Sequence, residues 1–186
     1  MRFIHWFYER YGTNLIISIY LKCFMRSEKK RRKWLKLCGA ELGFGTVVNS
    51  RIDNFPEPYM VSIGKNVYIA SEVIFMTHDG SYSWMSRKMG YTDKRTDKIG
   101  KIVVGDNCFI GSKAIIMHDV TIGNNCIIGM GAIVTHDVQD GTVVAGVPAK
   151  EICSTEDFIK KNSYRTDYTC GWTTKDKRRY YEEKYK

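Results

Sequence analysis

The sequence predicts a parallel β-helix, an all-β solenoid built from hexapeptide repeats. Two periodic columns and one interruption carry that expectation. Aliphatic residues or Phe recur every six positions at Ile63, Ile69 and Phe75, and again at Val104, Ile110, Ile116, Ile122, Ile128 and Val134. A second column of small or β-branched residues follows four positions later, at Val67, Val73, Cys108, Ala114, Val120, Cys126, Ala132 and Val138. A fixed period on two columns at once is the signature of a stacked repeat architecture. Between the two blocks the phase breaks, from Met76 to Lys101.

Each repeat has a physical reading. β-Branched aliphatics suit the inward position of a short strand. The corner that follows must tolerate tight backbone, and Gly64-Lys65-Asn66, Gly105-Asp106-Asn107 and Gly123-Asn124-Asn125 supply Gly and Asn for it. Three hexads close one triangular coil, and stacked coils place each inward aliphatic over the next. Burial of each is worth about 1.5–3 kcal/mol.

In chain order, residues 1–38 read as an N-terminal helical segment, rich in aromatics and aliphatics and ending in the basic run Lys29–Lys33. Its longest apolar stretch, Leu15–Leu21, is too short to span a bilayer, and no small-residue cleavage site follows it. The segment either packs on the repeats or lies on a membrane surface, with the basic run against anionic lipid. A β-helix domain spans 39–150: a Gly-rich lead-in at 39–45, an irregular first coil at 46–60 broken by Pro56 and Pro58, coils at 61–75 and 102–140, and a closing segment at 141–150. The insert 76–101 is a long polar loop with no apolar period, and such interruptions in regular solenoids are where sites are found. Residues 151–186 form a polar, aromatic-rich C-terminal tail. Solenoid ends need caps, and the N-terminal helix and this tail are the candidates.

A net charge of +9 points to anionic partners, and the cations concentrate at the two ends rather than in the repeats. No nucleic-acid motif accompanies them. Six cysteines show no Cys-x-x-Cys spacing, and Cys108 and Cys126 stand in a column of small core residues. These features describe a reduced cytoplasmic protein, with peripheral contact at the inner membrane surface the alternative left open by the N-terminal segment.

The closing segment Gly141-Thr-Val-Val-Ala-Gly-Val-Pro-Ala-Lys150, with Gly111-Ser112, Val120-Thr-Ile-Gly123 and Ala132-Ile-Val-Thr135, resembles the hexapeptide-repeat acetyltransferases. The likeness covers about residues 44–152 and falls nearest the maltose/galactoside and polysaccharide O-acetyltransferase branch. The resemblance implies a left-handed coil, a homotrimer with active sites between subunits, acetyl-CoA as acyl donor and no metal. It places the catalytic histidine at His78, in Thr77-His78-Asp79-Gly80-Ser81 where the chain leaves the solenoid. Imidazole independently suits proton removal from a weakly nucleophilic alcohol. The bland alternative is a surface-loop histidine.

By the same resemblance, Ser112 lines the oxyanion region and the donor site. Gly129, Met130 and Gly131 meet the pantetheine arm, and Thr135, His136 and Lys150 hold the nucleotide end. Two positions depart from the family pattern: Cys153 replaces a frequent Arg, and His136 a frequent Lys. The other ring nitrogen of His78 needs an acceptor, and Asp79, Asn49 and Asp53 are the candidates. Tyr82, Trp84 and Tyr91 in the insert either stack on a sugar face or pack the loop, with Asp79 beside them. His118 reads as structural. His78, His118 and His136 lack the spacing of a zinc triad. The expected activity is acetyl transfer to a hydroxyl of a sugar or polysaccharide precursor. The competing readings are a small-molecule, antibiotic-type O-acetyltransferase and a non-enzymatic trimeric scaffold.

Overall fold

A computed structural model describes residues 27–186. The expected helices over residues 1–26 lie outside the described residues. The first described element, α1 (Glu28–Leu37), buries Trp34 and Leu35 and packs on the first strands of the solenoid. This stretch therefore caps the start of the β-helix.

The coils begin with β1 (Glu41–Leu42) and β2 (Val47–Val48), earlier than the sequence suggests. Next come β3 (Val61–Ile63), β4 (Tyr68–Ile69) and β5 (Ile74–Met76). The insert adds β6 (His78–Asp79), α2 (Ser81–Lys88) and β7 (Lys98–Ile99). Regular coils resume with β8 (Ile102–Val104), β9 (Phe109–Ile110), β10 (Ile115–Met117), β11 (Thr121–Ile122), β12 (Ile127–Ile128) and β13 (Ile133–Val134). The closing pair is β14 (Thr142–Ala145) and β15 (Lys150–Ser154).

Three parallel sheets form the faces of the prism, in orders β1-β3-β8-β11, β2-β4-β9-β12-β14 and β5-β10-β13. The register follows the repeat: Leu42 lies over Ile63, Ile63 over Val104, and Val104 over Ile122. On the second face Val48, Ile69, Ile110, Ile128 and Val144 stack in turn, and on the third Phe75, Ile116 and Val134. All these inward residues are buried. The first coil lacks a third strand. A 3-10 turn at Ile52–Asn54 replaces it and delivers Phe55, whose ring stacks on Phe75 at 4.6 Å.

The corners explain the Asn column. Asn66, Asn107 and Asn125 adopt positive φ of 54°, 57° and 56°. Their side-chain amides form a ladder, Asn66 donating to Asn107 and Asn107 to Asn125, each at 3.2 Å. One close approach requires glycine: a Cβ on Gly105 would lie 2.8 Å from the Gly123 carbonyl of the next coil. Cys108 and Cys126 are buried, their thiols donating to the Gly123 and Gln139 carbonyls at 3.0 and 3.1 Å.

The insert is not a structureless loop. β6 and β7 pair antiparallel, His78 opposite Ile99 and Asp79 opposite Lys98, and α2 lies between them. The Gly100 N–H donates to the Thr77 carbonyl at 2.9 Å and returns the chain to the solenoid. The helix was invisible to hydrophobic periodicity because the side chains it buries are Ser83 and Ser86.

The closing segment also runs further than residue 150. β15 turns back antiparallel on β14, with Thr142 opposite Ser154, and so covers the last exposed ladder. The chain divides into two compact units between Thr155 and Glu156. The second unit contains most of α3 (Thr155–Asn162) and α4 (Thr174–Lys184). Within it Trp172 meets Tyr180 edge-on at 5.2 Å, and Lys184 pairs with Asp167 at 2.7 Å. Among the described residues no helix is long and apolar enough to cross a membrane.

Candidate active site

His78 leaves the solenoid immediately after β5. The preceding Thr77 is buried, so its neighbour is thrown outward at a fixed point. The acceptor on its ring is none of the residues the sequence suggested. Nδ1 lies 3.0 and 2.9 Å from the two carboxylate oxygens of Glu57. Glu57 sits between Pro56 and Pro58, whose rings restrict the backbone on either side. Thr77 Oγ1 donates to the same carboxylate. An ionised carboxylate only accepts, so pairing with Glu57 favours the tautomer with the proton on Nδ1 and the lone pair on Nε2. The exposures differ in a useful way: 46% for the His78 side chain and 19% for Glu57. The imidazole is reachable while its carboxylate partner is sheltered.

The other acceptor candidates are engaged elsewhere. Asp79 Oδ1 accepts the Ser81 N–H at 2.8 Å, and that bond holds the Asp79 carboxyl below its ordinary range. Asp53 pairs with the Arg51 guanidinium at 3.0 Å on the exposed surface and raises the Arg51 pKa. Asn49 Oδ1 accepts from Arg31 at 3.4 Å. Glu57 was missed because no repeat period relates it to His78, twenty-one residues on. Its only sequence signal is a carboxylate set between two prolines just before the first regular coil.

A cleft of about 530 Å³ opens beside this pair, lined by Glu57, His78, Asp79, Trp84, Arg87 and Lys98 among others. Trp84 is more than half exposed, with the Lys88 ammonium 5.0 Å from its ring centre. Tyr82 and Tyr91 are exposed on the insert but do not line the cleft.

The expected donor residues fall on two corner stacks. Pairing of Met76 with Met117, and of Ile116 with Val134, aligns the turns after β5, β10 and β13. His78, His118 and the Thr135-His136 pair therefore leave along one edge of the prism. There Thr135 Oγ1 contacts His136 Nδ1 at 2.9 Å, and His118 Nδ1 pairs with Asp119 at 2.9 Å. Ser112, Met130 and Gly131 occupy the opposite edge of the same sheet, where the Gly131 N–H donates to the Ser112 carbonyl at 2.9 Å. Within one chain the structure thus does not bring Ser112 to His78. Gly129 packs against Ala145 of the following coil, Met130 is strongly exposed, and Lys150 opens β15 with its side chain in solvent. Among the described residues no three metal-ligating side chains converge.

Parallel hexapeptide coils interrupted by a histidine-bearing insert define an acyltransferase of the hexapeptide-repeat class. The pattern described as Bacterial transferase hexapeptide (six repeats) matches residues 101–136. The chain belongs to one family with Protein CapG of Staphylococcus aureus: the two are 40% identical over 171 residues, 91% of this chain and 96% of CapG. A galactoside acetyltransferase solved in complex with coenzyme A is 25% identical, with a TM-score of 0.52 over 86% of this chain and 80% of that one. A maltose O-acetyltransferase from Clostridium difficile 630 shares the fold, at 21% identity and a TM-score of 0.51 over 77% and 89% of the two chains.

Proposed function

We propose that the chain is an acetyl-CoA-dependent O-acetyltransferase acting on a hydroxyl of a sugar or polysaccharide precursor by direct transfer. The observation that carries this reading is the Glu57–His78 pair, which engages the ring through Nδ1 and lines a cleft. His78 Nε2 takes the proton of the acceptor hydroxyl as its oxygen attacks the acetyl carbonyl. The C–O bond forms, the C–S bond breaks, and the proton passes from His78 to the departing thiolate. Glu57 is a positioning residue: it fixes the ring and stabilises the imidazolium that forms. A positioned base of this kind is worth about 10²–10⁴-fold in rate.

Support for the donor comes from the coenzyme A bound by the galactoside acetyltransferase and from groups along the coils. Thr135 and His136 lie in line with His78. Lys150 has no carboxylate within ion-pair distance among the described residues and can meet a phosphate as a point charge. Gly129, Met130 and Gly131 offer backbone to the pantetheine arm, and Ser112 a hydroxyl to the oxyanion. Because Ser112 and His78 leave opposite edges of one sheet, a complete site takes them from different copies. A homotrimer of left-handed coils meets that need. The outer faces support such packing: Ile74, Ile115 and Ile133 line one, and Tyr68 stacks on Phe109 at 5.5 Å on another. Peripheral membrane contact would use Lys29, Lys33 and Lys36, which share the exposed side of α1.

The test is thiol release from acetyl-CoA with a panel of sugar and antibiotic-type alcohols, comparing wild type with His78→Ala. Acceptor-dependent release that falls at least about 10²-fold in the variant supports the reading. Equal release in both, or none with any acceptor, overturns it; the scaffold alternative predicts indifference to this substitution.

A further inference from the structure

The cleft beside His78 has an unusual inventory of free hydrogen-bonding groups. Three carboxylates line it, and each is already engaged. Glu57 takes His78 and Thr77, Asp79 takes the Ser81 N–H, and Asp97 pairs with Arg95 at 3.5 Å. Two cations there, Arg87 and Lys98, make no ion pair among the described residues, Lys98 attracting Asp79 only from beyond ion-pair distance. The Arg87 Nε–H donates to the Ser83 carbonyl at 3.0 Å, which fixes the base of the guanidinium. Its two Nη groups have no carboxylate partner among the described residues, and neither has Lys98 within ion-pair distance. Lys98 stands opposite Asp79 in the β6–β7 ladder. Thr96 Oγ1, also on the cleft, is buried without a hydrogen-bond partner.

A neutral sugar presents hydroxyls that both donate and accept, and sites for such ligands supply acceptors as well as donors. Here each cleft carboxylate already meets a protein donor, whereas the Arg87 Nη groups and Lys98 Nζ meet no carboxylate within ion-pair distance among the described residues. Arg and Lys donate only. The ligand group that two such cations suit is an acceptor-only anion: a carboxylate or a phosphoryl group. A guanidinium meets either with two parallel bonds. The ladder and α2 hold these cations on a folded frame rather than a loose loop: the Thr96 N–H donates to Ser83 Oγ at 3.2 Å and ties the returning chain to the helix.

We propose that the acceptor is an anionic saccharide, whose carboxylate or phosphoryl group is held by Arg87 and Lys98 while a hydroxyl of the same sugar or its neighbour lies at His78. This rests on the acetyl-transfer reading and names the acceptor class for it. Trp84 borders the same cleft and offers a ring to the sugar's C–H face.

The experiment compares glucose, glucuronate and glucose 1-phosphate as acceptors for the full-length protein. It uses wild type, Arg87→Gln and Lys98→Gln, with acetyl-CoA affinity measured alongside by calorimetry. At least one anionic sugar should exceed glucose in kcat/KM by about tenfold or more, as one charge-assisted contact can supply. The carboxylate and phosphate arms show which anion is taken. Each variant should lower the anionic-to-neutral ratio toward one while acetyl-CoA affinity stays as in wild type. Preference for glucose overturns the proposal, and so does a ratio unmoved in the variants. Weaker acetyl-CoA binding in Arg87→Gln, with the ratio intact, also overturns it and assigns the cations to the donor's phosphates. Direct calorimetric binding of glucuronate and glucose 1-phosphate separates the two claims. Binding abolished in Arg87→Gln but without acetyl transfer sinks the acetyl-transfer reading and keeps the anion site. Transfer to glucose without binding of either anion does the reverse.

Discussion

Glu57→Gln is the most informative single substitution. It preserves shape and leaves an oxygen for the Thr77 hydroxyl, so the buried Thr77 side chain keeps a partner and the fold is undisturbed. What it removes is the negative charge 2.9 Å from His78 Nδ1. A hydrogen bond between charged groups contributes about 1.5–3 kcal/mol. The Coulomb energy of two charges about 4 Å apart near a protein surface is about 4 kcal/mol at most. Partial exposure of the His78 ring screens the pair, so the lower range applies. At about 1.4 kcal/mol per decade, kcat/KM should fall about 10- to 150-fold. The loss should lie mainly in kcat, because the ion pair reaches full strength only when the imidazolium forms. Nitrogen NMR of the labelled ring gives the readout a merely structural role would not move: wild type should hold the proton on Nδ1, and the variant should show a mixture of tautomers. Unchanged kcat/KM with an unchanged tautomer would refute the orienting role of Glu57.

Two further outcomes follow from the fold. Ile122 is fully buried between Val104 and the Val138 bridge, so Ile122→Ala should cost about 2–5 kcal/mol in denaturant unfolding and Ile122→Asp should unfold or aggregate the chain. Unchanged melting of Ile122→Asp would contradict the stacked-coil core. In the second unit, Lys184 followed by Tyr180 depresses the Asp167 pKa, and Asp167 in turn raises that of Lys184. The Asp167 contribution is present above its unfolded pKa and lost as pH falls through the depressed one. The Lys184 contribution is present below its unfolded pKa and lost as pH rises through the raised one. Amide protection of α4 should therefore be greatest between the ordinary carboxylate and lysine ranges, and protection that ignores pH would disprove the pair's role.

The solenoid was legible because every regular coil repeats the same burial problem at the same interval. The first coil was harder to see. Leu42 and Val48 keep the period, but the next core ring is Phe55, one residue late, because the 3-10 turn at Ile52–Asn54 replaces a strand. The insert helix hid behind a buried face of serines. The exit of His78 from the solenoid was legible from its place at a broken repeat. Its partner Glu57 was not, since their meeting depends on the third dimension alone: no spacing rule joins a carboxylate held between prolines to a histidine one coil later. The family resemblance pointed to donor residues on two edges of the prism, and one chain places them apart.

Calorimetric titration of the full-length protein with acetyl-CoA, in wild type and in Lys150→Glu, tests the donor half of the reading most directly. Saturable binding near one equivalent per chain in wild type, weakened at least about tenfold when the cation proposed to meet the phosphates becomes an anion, is expected. Absence of binding at millimolar acetyl-CoA, or identical affinity in the variant, would contradict the assignment of the coil edge as an acyl-donor site.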